Sequence, residues 1–320
     1  MIEDIRRELL REYEEKRLLS DLGARSRQKA LYERIPELKA LEASYKEMEL
    51  EILRAVFSSP AHAKSAAREQ EKLHQRLEQE RGELLERHDI FDDPTAPRYQ
   101  CPHCQDRAML EDGSYCHCFK KQLAEQIYQL SGTTERAARD LKSYRLDVFT
   151  DADQRANISR IYAVMREEAR EFSPRSGKNY LFSGPVSQGK TYLMESFAGE
   201  LIGEGVIVFS ITAPGMVDFL RRYRFQGRPE PEDEQTYQLL MESDLLLLDD
   251  LGKENVTDFV VTEFFNLINH RYLTKKSLFI STNLNITELF RTYDEASMSR
   301  ILASAYVPKF FGPPLKRGEA

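Results

Sequence analysis

A glycine-rich segment near the middle of the chain has the residue types and spacing to hold phosphate groups. Residues 184–191, GPVSQGKT, satisfy the pattern G-x-x-x-x-G-K-[S/T]. The glycines let the backbone curl so that successive N–H groups point at phosphates, while Lys190 reaches the β- and γ-phosphates and the Thr191 hydroxyl holds Mg²⁺. The predicted contacts to the nucleotide are Gly184, Pro185, Val186, Ser187, Gln188, Gly189, Lys190, Thr191 and Tyr192.

Two acids follow a run of leucines farther along the chain. Leu245 to Leu248 are followed by Asp249 and Asp250, and an apolar strand would carry both carboxylates to its C-terminal edge. We expect Asp249 to hold the Mg²⁺ shell and Asp250 to orient the attacking water. Asn283, after the next apolar run, is placed to lie between these acids and the γ-phosphate. The alternative is an asparagine selected for the turn before Leu284.

All four cysteines lie in one short stretch, CPHC…YCHC, at Cys101, Cys104, Cys116 and Cys118. Two knuckles of this spacing bring four thiolates together around Zn²⁺, and a reducing compartment disfavours disulfides. A redox pair is one alternative, and a site in which His103 or His117 replaces a thiolate is another. We predict a structural zinc site, because so short a segment cannot build a core and metal binding supplies its folding energy.

Composition limits the classes of protein. The net charge is −7, so a strongly basic nucleic-acid-binding arm is not expected. No apolar run approaches the length of a membrane span, and the N-terminus is too charged for a signal peptide. We therefore expect a cytoplasmic protein with no membrane contact.

The phosphate-binding segment lies between a predicted strand and a predicted helix, which disfavours a chance match to the motif. Strands are predicted at 179–183, 206–211, 245–249 and 277–281, and helices at 119–130, 154–171, 191–201, 216–222 and 258–272. Strands that alternate with helices indicate a parallel sheet covered on both faces. The predicted fold class is therefore an α/β P-loop NTPase preceded by helices and a zinc-binding knuckle.

Helical periodicity dominates the first part of the chain. Pro36 interrupts it, and a third, very polar helical stretch covers residues 60–87, so a helical hairpin or coiled coil is predicted. A solvated spacer and a surface for a protein partner are equally compatible with it. We predict three parts: an extended partner-binding helical region at 1–90, the knuckle and following helix at 91–132, and the ATPase domain at 133–320.

The motifs together resemble the DnaC/DnaI-type AAA+ helicase loaders and their IstB-like relatives. The similar segments are GPVSQGKTYL, ITAPGMVDFLRRYRF, LLLLDDLGKE, EFFNLINHRYLTKKSLFISTNL and SRI…KFFG, and the helical region with a cysteine knuckle is similar to the loader branch. The resemblance implies ATP, Mg²⁺ and weak ATPase activity stimulated by a partner or DNA. It also implies that Asn283 is sensor 1 and that Arg300 is an arginine finger acting on ATP of a neighbouring subunit, hence self-association.

Three departures from the family pattern concern hydrolysis more than binding. Ser187 stands where the family usually has glycine, although the backbone cradle does not demand glycine there. The family has a sensor 2 arginine after Phe-Phe-Gly, and there Lys316 is the catalytic residue that the resemblance implies, with the charge but without the bidentate fork. Ala296 replaces an arginine that often precedes the finger.

A local basic cluster with interleaved aromatic residues follows the second predicted strand. Its members are Arg221, Arg222, Tyr223, Arg224, Phe225 and Arg228. Such a patch holds backbone phosphates by charge and bases by stacking, although a solvated helix end is an equal alternative.

The leading functional hypothesis is an ATP-dependent loader of the hexameric replicative DNA helicase onto single-stranded DNA. A transposition helper ATPase is the second hypothesis, which the long N-terminal region disfavours. A nucleotide-binding adaptor with little hydrolysis is the third.

Overall fold

The computed structural model describes residues 2–58, 63–91, 93–131, 140–225, 227 and 229–315. The helices are α1 Ile2–Arg34, α2 Pro36–Ser58, α3 Ala63–Glu86, α4 His117–Gln129, α5 Ala152–Glu171, α6 Lys190–Gly203, α7 Ala213–Phe225, α8 Pro231–Glu242, α9 Asp258–Leu273, α10 Ile286–Thr292 and α11 Glu295–Leu302. The strands are β1 Asn179–Ser183, β2 Val208–Thr212, β3 Leu245–Leu251, β4 Ser277–Thr282 and β5 Ala305–Tyr306.

The chain divides into two compact units, Glu12–Arg107 and Met1–Arg11 with Ala108–Ala320. Within the first unit, α2 and α3 pack as an antiparallel pair. Tyr45 of α2 donates a hydrogen bond to Glu80 of α3 at 3.0 Å. One turn earlier in α2, Glu42 pairs with Arg81 of α3 at 3.0 Å. A small apolar cluster at one end of the pair contains Leu31, Ile35, Leu38 and Leu85. The helical hairpin predicted from the sequence is therefore present.

The second unit is built on a five-stranded parallel sheet in the order β2-β3-β4-β1-β5. Strands β1 and β4 are buried along their whole length, as is typical of a parallel sheet with helices on both faces. Aromatic side chains fill the space between the sheet and α6: Phe197 packs on Tyr180 at 5.2 Å and on Phe279 at 5.6 Å between ring centroids. The α/β fold class is therefore confirmed.

The order of the strands determines where polar side chains meet. Strands β3, β4 and β1 lie next to one another, so the residues that follow their C-terminal ends lie at one edge of the sheet. That edge carries Asp249, Asp250, Asn283 and the phosphate-binding segment 184–189. Helices α8, α10 and α11 and strand β5 were not predicted from the sequence.

In the described residues, no helix is both long and apolar enough to cross a bilayer.

Candidate functional site

The phosphate-binding segment takes an unusual backbone path between β1 and α6. Gly184 has φ of 149° and Gly189 has φ of 79°, which are conformations that glycine adopts at little cost. Ser187 also has a positive φ, 58°, and a non-glycine residue in this region is strained by about 1 kcal/mol or more. The loop thus accommodates serine at position 187, in a conformation that glycine would adopt more readily.

The Lys190 side chain folds back over this loop. Its ammonium group donates to the carbonyl oxygens of Gly184 at 2.7 Å and Pro185 at 2.6 Å, and to Asn283 Oδ1 at 3.0 Å. Burial lowers the pKa of Lys190 to about 8, against the opposing attraction of Asp250 and Asp249. A phosphate at this position would restore the favourable environment for the charged form.

Thr191 and Asp249 lie close enough to share a cation. Thr191 Oγ1 donates to Asp249 Oδ1 at 3.0 Å, and the same carboxylate oxygen accepts from the Ser281 hydroxyl and from the Asp250 backbone N–H at 3.0 Å. Hydroxyl and carboxylate oxygens are the ligand types that Mg²⁺ prefers. The donor set therefore fits the predicted magnesium site. Ser281 was not predicted as a site residue.

Asp250 stands on a tight turn directly after the leucine run. Its φ is 61°, and its carboxylate pairs with Lys253 Nζ at 2.7 Å. Gly252, with φ of 95°, allows Leu284 to approach, because an added Cβ would lie 2.5 Å from a Leu284 methyl carbon. The turn holds Asp250 at the edge of the sheet, where the sequence predicted it, but with a cation already beside it.

The three residues assigned by family resemblance have different outcomes. Asn283 Oδ1 accepts a hydrogen bond from Lys190 at 3.0 Å, a placement compatible with the sensor 1 role that the resemblance implies. Arg300 lies on α11, donates to the Ala296 carbonyl and stacks over Phe265 at 5.2 Å, and among the described residues it makes no hydrogen bond or ion pair with the phosphate-binding segment. That placement is compatible with a residue that acts on a neighbouring subunit. Lys316 lies outside the described residues.

A small cavity opens beside the C-terminal end of the phosphate-binding segment. Its lining is mostly apolar and aromatic, and the lining residues are Tyr144, Arg145, Val148, Phe149, Gly189, Tyr192 and Leu315. The Tyr144 hydroxyl is buried and has no hydrogen-bond partner in the described part of the chain. The Tyr192 ring lies 5.1 Å from that of Tyr144, which gives the predicted contact residue Tyr192 a place in the cavity wall.

The basic cluster on α7 is only partly free. Arg222 pairs with Asp233 at 3.3 Å, Arg224 pairs with Glu263 at 3.1 Å, and Tyr223 donates to Glu234 at 2.7 Å. Arg221 has no recorded ion pair among the described residues. Arg228 lies outside the described residues.

A surface cavity of about 460 Å³ lies beside Arg221 and Arg222. It is also lined by Phe225, which is 72% exposed, and by Phe259, whose ring lies 5.3 Å from that of Phe225. Two of the predicted nucleic-acid contacts, Arg221 and Arg222, thus face a cavity with exposed aromatic surface. Arg224 and Tyr223 are engaged with acidic side chains instead.

The four cysteines converge within the short segment 101–118. Their sulfur atoms all lie within 4.8 Å of one another. Four thiolates at the Zn–S distance of about 2.3 Å lie about 3.8 Å apart, so small movements would complete a tetrahedral site. His103 and His117 are exposed and do not belong to this cluster. The geometry therefore fits a four-cysteine zinc site better than one with histidine.

Sequence reasoning missed several residues that support these sites. Asp106 accepts the backbone N–H groups of Gln100 and Cys101, both at 2.9 Å, and so holds the first cysteine knuckle. Glu254 accepts from the Gly252 N–H at 3.0 Å and from the buried Tyr293 hydroxyl, which fixes the turn after Asp250. Neither residue matches a motif. An acid close to a predicted ligand was the only available signal.

Known proteins resemble this chain over more than half of its length. The family model described as IstB-like ATP binding protein matches residues 124–306. The phage-like element PBSX protein XkdC of Bacillus subtilis (strain 168) is 26% identical over 64% of this chain and 79% of its own length. The replicative helicase loader DnaC of Escherichia coli (strain K12) is 26% identical over 38% of this chain, and the match spans about half of its length, 49%.

A solved structure described as the DnaC helicase loader aligns with 56% of this chain and 100% of its own, at 21% identity and a TM-score of 0.49. The family model covers more than half of the 320 residues and includes the loop, both acids, Asn283 and Arg300. The resemblance found in the sequence motifs is confirmed, and the chain belongs to the IstB-like ATP-binding protein family.

Proposed function

We propose that this protein binds ATP and Mg²⁺ at residues 184–191 and uses the bound nucleotide to load a hexameric replicative DNA helicase onto single-stranded DNA. One observation carries the nucleotide part of the proposal. Lys190 donates to Asn283 at 3.0 Å and the adjacent Thr191 donates to Asp249 at 3.0 Å, so two hydrogen-bonded pairs lie side by side at the edge of the sheet. A triphosphate with its cation matches the charges and donors of that set.

ATP hydrolysis is proposed to be weak in the isolated protein. The carboxylate of Asp250, the residue proposed to orient the attacking water, is paired with Lys253. Arg300 is proposed to act on the ATP of a neighbouring copy, so self-association would precede turnover. Tyr192, which lines the small cavity beside Gly189, is proposed to contact the nucleotide.

Asp250→Asn tests the catalytic assignment. It should leave binding of Mg²⁺ and a non-hydrolysable ATP analogue within about twofold while lowering the steady-state ATPase rate by roughly 100-fold, since general-base catalysis is worth about 10²–10⁴. Lys253→Ala is the matched variant on the same turn, and it should retain or increase the rate. Turnover by Asp250→Asn at the wild-type rate would remove Asp250 from the mechanism.

The helicase part of the proposal is supported by the relatives and by the first unit. One relative is named as a replicative helicase loader. Helix α1 carries Leu18, Leu19 and Leu22 at 58%, 68% and 49% exposure, and at this spacing the three side chains cover one side of the helix. Exposed leucines of this density favour a protein-binding surface over a solvated spacer.

The docking test uses the full chain and the hexameric replicative helicase of the same cell. Leu18→Glu with Leu22→Glu should weaken binding to the helicase by at least about tenfold in size-exclusion and calorimetric measurements. Lys29→Glu, an exposed change on the same helix two turns beyond Leu22, is the control. Equal affinity of the double variant and the wild type would exclude this surface, and wild type that binds no helicase would exclude the loader function.

Single-stranded DNA is the proposed nucleic-acid partner of α7. Arg221, which has no ion pair within the described part of the chain, and the exposed Phe225 beside the 460 Å³ cavity support contact to a phosphate and to a base. Arg221→Ala should weaken binding of a single-stranded oligonucleotide and reduce its salt dependence by about one charge. Arg291→Ala, an exposed arginine on α10, should not. Identical affinities for both variants would remove the patch from the proposal.

The IstB-like family match also leaves a transposition helper as a second candidate. Delivery of the helicase to DNA coated with single-strand binding protein, dependent on ATP and abolished by Lys190→Ala, distinguishes the loader from that helper and from a nucleotide-binding adaptor.

A further inference from the structure

The segment 310–315, which we call the C-terminal strap, lies directly on the phosphate-binding loop. We propose that the buried amides of Gln154 and Gln188 latch this strap onto the loop, so that seating of the strap and binding of a nucleoside triphosphate are coupled. The coupling rests on the ATP-binding function proposed above. It assigns to Gln154 and Gln188 a positioning role.

Backbone contacts bring the strap against both ends of the loop. The Phe310 N–H donates to the Ser183 carbonyl at 2.8 Å, and the Leu315 N–H donates to the Ser187 carbonyl at 2.8 Å. The approach is close enough that a Cβ on Gly184 would lie 2.3 Å from the Phe310 carbonyl oxygen. The strap therefore contacts the carbonyl oxygens of the backbone segment whose N–H groups are proposed to bind a triphosphate.

Two glutamine side chains join the strap, the loop and α5. Gln154 Nε2, on α5, donates to Gln188 Oε1 at 2.6 Å and to the Pro313 carbonyl at 3.0 Å. Gln188 Nε2, within the loop, donates to the Gly312 carbonyl at 2.8 Å. Both side chains are about 98% buried or more. Buried amides of this kind are costly to leave without partners, so the three contacts form or break together.

The strap is shaped to fit this latch. Gly312 has φ of 108°, and a Cβ there would lie 2.7 to 2.9 Å from the Gln154 side chain. Phe310 is buried against Phe182 of β1, with ring centroids 4.9 Å apart, and Leu315 forms part of the cavity wall next to Gly189. The strap is thus anchored at its start by an aromatic contact and ends beside the proposed nucleotide site.

The position of Gln188 explains the coupling. Gln188 lies between Ser187 and Gly189, both of which have positive φ, so its side chain points to the strap only when the loop keeps this path. Phosphate groups bound by the loop N–H groups would fix the same path. Coupling of this kind is reciprocal: if nucleotide holds the strap, the strap must raise nucleotide affinity by the same factor.

Hydrogen exchange measured by mass spectrometry, together with titration of Mg²⁺ and a non-hydrolysable ATP analogue, tests the latch in the full chain. In the wild type, saturating nucleotide should slow exchange of the Phe310 and Leu315 amides at least about threefold. Gln154→Met keeps the length of the side chain and removes its donors. It should speed exchange of the strap without nucleotide and weaken nucleotide affinity about tenfold.

Arg160→Ala, an exposed change on the same helix, is the matched control and should match the wild type in both measurements. If Gln154→Met does not fold, Asn157→Ala takes its place, because it removes only an exposed hydrogen bond of 2.8 Å to the Lys309 carbonyl at the start of the strap. It should give the same changes at smaller amplitude.

The outcomes separate this inference from the proposed function. Wild type that binds nucleotide without any change in strap exchange, or a folded latch variant with wild-type exchange and affinity, overturns the coupling and leaves ATP binding intact. Wild type that binds no nucleotide overturns the proposed function and the coupling with it. In that case, faster exchange of the strap amides in Gln154→Met would still show that the two glutamines hold the strap on the loop.

Discussion

The phosphate-binding segment and the cysteine knuckle are both short and both gather groups for a ligand, but they are held in different ways. The first lies between β1 and α6, and its lysine, threonine and neighbouring acid already have hydrogen-bond partners from three strands or loops. The second has the isolated bridge Met109–Tyr115 and the carboxylate of Asp106 to order it. The sheet builds the first site, whereas we expect the second to depend on a bound metal.

Removing the metal should therefore give the largest effect. Cys101→Ser with Cys104→Ser should abolish zinc binding and disorder the knuckle, since metal binding at such sites contributes on the order of 10 kcal/mol. Metal analysis and hydrogen exchange of residues 101–118 measure this. Nucleotide affinity should stay within about threefold of wild type. Wild-type protein with an ordered knuckle and no bound metal would show that the knuckle does not depend on zinc.

Lys190→Ala should have the opposite pattern. The change removes the cation that faces the β- and γ-phosphates, so affinity for ATP should fall by roughly 100-fold, or about 2.7 kcal/mol. Zinc content should be unchanged. Titration with a fluorescent ATP analogue measures the first quantity and metal analysis the second. A variant with wild-type affinity would show that the loop is not the nucleotide site.

A pH series should affect the phosphate-binding site through Lys190. Its pKa is lowered to about 8 in the folded protein from an ordinary value of 10.5, so the free protein loses this charge as the pH rises through 8. Nucleotide affinity should fall about tenfold between pH 7 and pH 9. Lys190→Met should show no such fall in that interval, and a flat wild-type profile would contradict the assignment.

The same shift has a defined sign for stability. Between pH 8 and 10.5 the unfolded chain binds more protons at Lys190 than the folded chain does, so this residue makes stability rise with pH in that window.

The smallest expected effect concerns the loop conformation itself. Ser187→Gly relieves a left-handed backbone conformation, partly offset by the greater freedom of glycine in the unfolded chain. We expect the free energy of unfolding to increase by about 1 kcal/mol or less, seen as a higher melting temperature. Ser187→Ala should not increase it. A lower melting temperature for the glycine variant would show that the serine side chain stabilises the loop.

Much of the core could be predicted because its elements have strong local signals. The strand predicted at 179–183 has the observed bounds of β1, and the break at Pro36 separates α1 from α2. Helices α8, α10 and α11 were missed because they are short or lack a continuous apolar face. Their positions follow from packing and from caps such as Asn285 and Asp294, whose side chains accept N–H groups of α10 and α11.

The sequence by itself determined which chemistry is available: a glycine loop with lysine and threonine, two acids after a leucine run, and four clustered cysteines. Those signals are local, since a few neighbouring residues set the backbone path and the ligand types. Only the tertiary structure decided what each group contacts. The Ser281 hydroxyl on Asp249, and the latch of Gln154 and Gln188 on the strap, join residues that are far apart in the sequence. Strand order and burial bring them together, and no local pattern encodes that.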